Sequence, residues 1–239
     1  VFELLAERPE VAERGGNVPG GSKIREFIAS GYPLSRDGIQ RYAAVWTGDA
    51  PSSWLAVSEV APMLMNMGLS GLAFVGSDVG GFGGKASAEM FARWMQVGSI
   101  SPFFRNHCEK TGNRQEPWSF GSEVEDISRA MIQERYALMP YLYSLFHEAT
   151  RTGAPILRPL VYEFQEDAAT RTLGDQAMLG PWLLYAPVVR EGATSRTVYL
   201  PAGRWYNVVV TNVPGPREPL YLLGRRLLAC HPVVPLTSV

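Results

Sequence analysis

A repeated unit most constrains this chain: a short apolar run ending in glycine and an acid, followed by a stretch with helical periodicity. Tyr42-Ala43-Ala44-Val45-Trp46 leads into Gly48-Asp49, and Leu72-Ala73-Phe74-Val75 leads into Gly76-Ser77-Asp78. Short apolar, aromatic and β-branched runs ended by turn residues read as buried strands. Between the two, Trp54 to Met67 places Leu55, Val57, Val60, Ala61, Leu64, Met65 and Met67 close to helical spacing, and Gly68 stands where that helix is expected to stop. Ala86 to Gly98 repeats the helical pattern around Met90, Phe91, Trp94, Met95 and Val97, and Ser101-Pro102-Phe103-Phe104 is a further strand closing in Arg105-Asn106-His107. Short strands alternating with helices predict parallel βαβ units. Reactive side chains at successive strand ends favour a closed barrel over an open sheet.

Upstream, Val1 to Arg14 fits an amphipathic helix ended by the cluster Gly15 to Gly21, and Arg25-Glu26-Phe27-Ile28-Ala29 fits a short strand. Downstream, Asp126 to Thr150 reads as a long helical segment that Pro140 should kink or divide. Beyond Leu160 the apolar runs Trp182 to Val189 and Thr197 to Leu200 alternate with glycine and proline turns, an all-β signature. A domain boundary is therefore expected near Phe164, dividing residues 1–164 from a small antiparallel sandwich over 165–239.

With 239 residues, 46% hydrophobic and 19% charged, the chain can bury a sizeable core. Its formal net charge of -1, without basic runs, argues against nucleic acid as a partner, and charges, Gly or Pro interrupt every apolar stretch before membrane-spanning length. Cys108 and Cys230 are far apart and lack metal-ligand spacing, so reduced thiols are expected and a cytoplasmic setting is favoured. The first residue is Val, and the chain reads as a piece of something longer.

Asp49 carries the chemistry of this reading. An acid at the carboxyl end of a parallel strand sits where such folds gather their reacting groups, although Asp49 or Ser52 could equally cap the helix beginning near Trp54. Asp78 has the parallel choice between a ligand contact and a turn residue bonding nearby amides. The glycine-rich Val79 to Gly84 lacks the Lys-Ser/Thr pair of a phosphate loop, and His107 beside Cys108 lacks further ligands at zinc spacing. His147 and His231 read as structural or exposed, and Arg93, Trp94, Tyr141 and Tyr143 as packing residues on helices.

Taken in order, Arg41 to Asp49, Gly76-Ser77-Asp78-Val79-Gly80-Gly81-Phe82, Arg93-Trp94-Met95-Gln96, Pro102 to His107, Gln115-Glu116-Pro117-Trp118 and Leu138 to Tyr143 resemble glycoside hydrolase family 31. Tyr199-Leu200-Pro201 and Gly203-Arg204-Trp205-Tyr206 are similar to the sandwich that follows that family's barrel. The resemblance implies an α/β fold, the second half of a (β/α)8 barrel followed by part of an antiparallel β-sandwich. It further implies a retaining α-glucosidase-like activity on oligosaccharides without a cofactor. On this resemblance Asp49 is the general acid/base, and Trp46, Asp78, Phe82, Arg105 and His107 line or hydrogen-bond the sugar. An acid serving this chemistry needs a raised pKa, for which a neighbouring carboxylate and partial burial are expected.

The family's nucleophile motif, an Asp followed by Met-Asn-Glu, does not occur in the sequence. Glu3, Glu7, Glu10, Glu13 and Asp37 do not replace it, so the chain is expected to need the amino-terminal half of the barrel as its partner. Alone it would leave open parallel edges and is expected to aggregate. Either Arg36 stands in, as a substrate-binding residue, for an arginine that the family carries before the acid strand, or that role is lost; Ala50 stands where the family often has Asn. The alternatives are a non-catalytic carbohydrate-binding or structural fragment, or a related α-xylosidase or α-galactosidase.

Overall fold

The structure, a computed structural model, describes residues 43–112, 114–208 and 220–223. The helix expected over Val1 to Arg14, the strand over Arg25 to Ala29, and Arg36, Cys230 and His231 lie outside the described residues. Chain order runs β1 (Val45–Trp46), α1 (Trp54–Leu69), β2 (Val75–Val79), α2 (Ala88–Ser99), β3 (Phe103–Asn106), α3 (Ser122–Ala137) and α4 (Met139–Thr152). It continues through β4 (Leu157–Pro159), the short α5 (Leu160–Glu163), β5 (Ala177–Leu179), β6 (Leu183–Tyr185), β7 (Trp205–Val208) and β8 (Leu220–Leu223).

β1, β2 and β3 form a parallel sheet in that order, with α1 and α2 as the crossovers. The helices begin on side-chain caps: Ser53 accepts from the Ala56 amide and Ser87 from the Met90 amide, each at 3.2 Å. The cap of α1 is thus Ser53, and neither Asp49 nor Ser52 has that role. Gly68 does not end α1 either, because the helix runs through it to Leu69 and turns at Gly71, whose φ is +89°. Gly68 instead permits close packing, since a Cβ there would lie 3.0 Å from Pro155 Cβ and 3.2 Å from the Leu157 carbonyl oxygen.

β2 starts at Val75, later than the apolar run Leu72 to Val75 suggested, and extends through Asp78. Pairing decides this: Val75 and Gly76 find Val45 and Trp46 on one side, and Gly76 to Val79 find Phe103 to Asn106 on the other. Ser77 and Asp78 are therefore buried inside the sheet, where each needs a polar partner. Ser77 Oγ accepts from Trp94 Nε1 at 3.2 Å, which fixes α2 behind the strand. β3 likewise begins at Phe103, so Arg105 and Asn106 are strand residues.

The expected division at Pro140 occurs: α3 stops at Ala137, α4 starts at Met139, and the proline occupies the first turn, where its missing N–H leaves no helical bond unmade. Tyr141 packs as expected and donates to the Leu179 carbonyl at 2.8 Å, whereas Tyr143 is 78% exposed because it lies on the opposite side of the helix.

The second sheet is antiparallel, in the order β4-β5-β6-β8-β7. Its first strand, Leu157–Pro159, precedes Phe164, so the change from parallel to antiparallel pairing falls upstream of that residue. Alternation along the strands serves two cores. Ala177, Leu179, Leu183 and Tyr185 join Phe91, Trp94, Leu142 and Ile156, while Met178 and Leu184 turn to Leu160, Ala186 and Trp205. Thr197 to Leu200 forms no strand. The Gln176 side chain completes the pairing instead, with Nε2 donating to the Tyr199 carbonyl at 2.8 Å and Oε1 accepting from the Tyr199 amide at 2.7 Å.

Candidate active site at the parallel strand ends

The carboxyl ends of β1, β2 and β3 put five of the expected site residues in one neighbourhood. Register places Trp46 opposite Gly76, Gly76 opposite Phe103, and Asp78 opposite Arg105. Residues two apart share a face, so Gly76 and Asp78 face the same way, with Trp46 and Phe103 flanking the glycine. The Arg105 guanidinium carbon lies 5.3 Å from the ring centroids of both Trp46 and Phe103. Arg105 Nε donates to Asp78 Oδ1 at 3.1 Å, and Nη2 also reaches that oxygen. Phe82 and His107, in the loops beyond β2 and β3, bring their ring centroids to 5.5 Å.

Asp78 is fully buried. Burial pushes its carboxyl above the ordinary aspartate value, Arg105 and then His107 pull it back, and the charge of Asp49 adds to the rise. Two polar atoms here lack a partner among the described residues: Asp78 Oδ2 and Trp46 Nε1, both buried. Such atoms are costly unless something meets them, and an arrangement of apolar rings around an acceptor, a donor and a cation can take a polyhydroxylated ligand.

Asp49 lies in the loop beyond β1, near enough for its charge to reach Asp78. It is exposed among the described residues, so the partial burial expected of an acid/base is found at Asp78 and not at Asp49. The reason is positional, since Asp49 follows Gly48 past the last paired strand residue while Asp78 lies within β2, paired with Arg105 of β3. Asp49 does not cap α1, and the Asp78 carboxylate bonds Arg105, while the Asp78 carbonyl accepts from the Gly81 amide at 2.9 Å where the chain turns out of β2.

The loops that carry these residues are tied together by backbone. Phe82 N and Gly83 N both donate to the Ala50 carbonyl, at 2.8 and 3.3 Å, and Ser52 N donates to the Gly83 carbonyl at 2.7 Å. Glu109 N donates to the Phe82 carbonyl at 2.8 Å, linking the β3 loop as well. Gly81, at φ +82°, admits no side chain, because a Cβ would lie 2.6 Å from Ser52 N. Gly80 and Gly81 thus serve close loop packing. Sequence reasoning gave Asn106 and Gln115 no individual role and Ser52 only that of a candidate helix cap, because their partners come from other loops; the one available signal was that Asn106 and Gln115 lie in stretches similar to the family's.

The family's descriptions match in two blocks: the glycosyl hydrolases family 31 TIM-barrel domain over residues 27–145, and the family 31 C-terminal domain over residues 153–222. The chain belongs to glycoside hydrolase family 31. Alpha-glucosidase 2 of Bacillus thermoamyloliquefaciens is 50% identical over 168 residues, covering 70% of this chain and 21% of that protein. Lysosomal alpha-glucosidase of Mus musculus is 41% identical over 189 residues, covering 79% of this chain and 20% of that one. Among solved structures, a family 31 dextranase of Flavobacterium johnsoniae complexed with glucose aligns with a TM-score of 0.71 and 35% identity, covering 78% of this chain and 26% of that one. A family 31 alpha-xylosidase from a soil metagenome complexed with xylose aligns with a TM-score of 0.70 and 30% identity, covering 76% and 32%. The chain spans about a fifth of the length of the curated relatives it matches. In this family 31 chain, the described site residues come from the TIM-barrel match.

Proposed function

We propose that this chain forms the carboxyl-terminal part of the (β/α)8 barrel, within residues 1–164, and the start of the β-sandwich, within 165–239, of a retaining α-glucosidase acting on oligosaccharides. The observation that carries the reading is the pair of buried atoms Asp78 Oδ2 and Trp46 Nε1, unpartnered among the described residues, beside the Arg105 guanidinium. A sugar hydroxyl would donate to Oδ2, another would accept from Nε1, and the rings of Trp46 and Phe82 would cover the C–H face of a pyranose.

Asp49 is the proton donor of this mechanism. A glycosidic oxygen leaves poorly until protonated, and the exposed Asp49 carboxyl at the edge of the sugar site can reach a leaving group that projects outward. A carboxylate about 5–5.5 Å from it, supplied by the earlier part of the barrel, attacks the anomeric carbon, and Asp49 then takes a proton from the water that hydrolyses the glycosyl-enzyme. Bound substrate would cover Asp49 and supply the desolvation that the described residues do not. Arg36 takes the place of the family's arginine before the acid strand, and the amino-terminal half of the barrel is the partner that completes the site.

An α-xylosidase is the second reading, supported by the alignment with the xylose complex. Hydrolysis of nitrophenyl α-glucoside, α-xyloside and α-galactoside by the full-length protein separates the readings, with NMR following the first-formed sugar. The α-glucoside should turn over fastest and release the α anomer. First release of the β anomer would rule out retention, and no turnover of any of the three would favour a non-catalytic carbohydrate-binding role.

A further inference from the structure

We infer that Gln115 is a positioning residue that locks the Asp49 loop and the Phe82 loop into one geometry by holding the carbonyls of Gly80 and Gly81. Resting on the reading of Asp49 as acid/base, the inference extends it to a residue that touches neither Asp49 nor the sugar-facing atoms.

Gln115 is 4% exposed, in the loop between β3 and α3. Its Nε2 donates to the Gly81 carbonyl at 2.9 Å and, more weakly, to the Gly80 carbonyl at 3.4 Å. Both partners are carbonyls, which only accept, so the NH2 end of the amide must face them. The consequence is visible at the other end: Gln115 Oε1 is buried without a partner among the described residues. A buried amide is rarely left half satisfied, and here the orientation that serves the glycine turn prevails over the one that would satisfy Oε1.

The same Gly80 carbonyl accepts from Ser52 Oγ at 2.6 Å, so one oxygen joins the Asp49 loop to the β3 loop. The turn has space for nothing else: at Gly80, φ +90°, a Cβ would fall 2.0 Å from Gln115 Oε1. Gln115 is itself held to β3, where Asn106 Nδ2 donates to its backbone carbonyl at 2.5 Å. From strand β3 the path runs through Asn106, Gln115 and Gly80 to Ser52, three residues past Asp49, and the Phe82 amide returns to the Ala50 carbonyl at 2.8 Å. A proton donor needs hydrogen-bond reach of the leaving oxygen, and small misplacement is expensive in rate.

The test uses the full-length protein with Gln115→Ala, Ser52→Ala and the double variant. Each is assayed on a disaccharide with a poor leaving group and on an aryl α-glucoside with an activated one. Each single change should lower kcat on the disaccharide about tenfold and on the aryl glucoside less than about threefold. The double change should cost no more than about twofold beyond the worse single, because both act through one turn. Gln115→Glu adds a pH readout: its carboxylate opposes the two carbonyls, but once protonated it can donate, so its activity relative to the parent should rise as pH falls. Equal losses on both substrates, or losses that multiply in the double variant, would overturn the positioning role. Should Gln115→Ala fail to fold, Ser52→Ala and the Gln115→Glu pH profile decide the matter by the same criteria. Loss of the acid/base reading itself would show separately, as an Asp49→Ala variant equally impaired on both substrates.

Discussion

Arg105 Nε donates to Asp78 Oδ1 at 3.1 Å across the β2–β3 pair, while Asp78 Oδ2, equally enclosed, meets no donor among the described residues. Strand register creates this relationship, since Asp78 and Arg105 are direct partners in the ladder. Removing the arginine leaves a buried carboxylate alone. Arg105→Ala should destabilise the fold by about 3 kcal/mol, the lower end for a broken buried pair because Arg105 is itself 28% exposed. Urea denaturation measures this; a loss under about 1 kcal/mol would show that the pair is not a stabilising contact.

The same aspartate makes stability depend on pH in an unusual direction. Its folded-state pKa is raised above the unfolded value by burial, so the folded chain holds that proton more tightly. The contribution is fully present below about pH 4 and is lost as pH rises through the folded value. Asp78→Asn removes this dependence. The melting temperature of the variant minus that of the parent should therefore increase between pH 4 and pH 7 (roughly the window set by the unfolded value). A difference that stays flat or falls would mean that burial does not dominate at Asp78.

The cap of α1 and the proposed proton donor are different residues, Ser53 and Asp49. Ser53→Ala removes the acceptor for the Ala56 amide and should cost about 1 kcal/mol in unfolding free energy while leaving turnover per folded molecule unchanged. Asp49→Asn should do the reverse. If the aspartate variant melted lower and the serine variant did not, the cap assignment would be wrong.

How far the sequence disclosed this arrangement differs from residue to residue. Asp49 and Arg105 could be found because apolar runs and their polar terminators lie side by side in the chain. The start of β2 could not, because pairing with Val45 and Phe103 sets it, and neither partner is near in sequence. Ser53 and Gln115 are ordinary polar residues until the fold brings them an amide or a carbonyl. The exposure of Asp49 was hidden for a related reason: strand pairing decides which acid is buried, and among the described residues that is Asp78.

Glycine tolerance should separate close packing from turn geometry. At Gly76 a Cβ would lie 1.9 Å from the Phe103 carbonyl oxygen, between two paired strands that cannot move apart singly. Gly76→Ala should cost about 3 kcal/mol or more, by overpacking and broken pairing. Gly71, at φ +89°, faces open space, and Gly71→Asn should cost less than about 1 kcal/mol because asparagine tolerates that region. Thermal melts of the two variants check this; similar losses would mean that neither contact distinguishes the sites.

The assignment of Asp49 as proton donor is the centre of the account, and leaving-group dependence measures it directly. In the full-length protein, Asp49→Ala should reduce kcat/KM on a disaccharide by at least about a thousandfold, since a positioned acid contributes roughly 10²–10⁴, and by less than about tenfold on a dinitrophenyl α-glucoside, whose leaving group needs no proton. Equal losses on the two substrates would contradict the account and make Asp49 a structural residue.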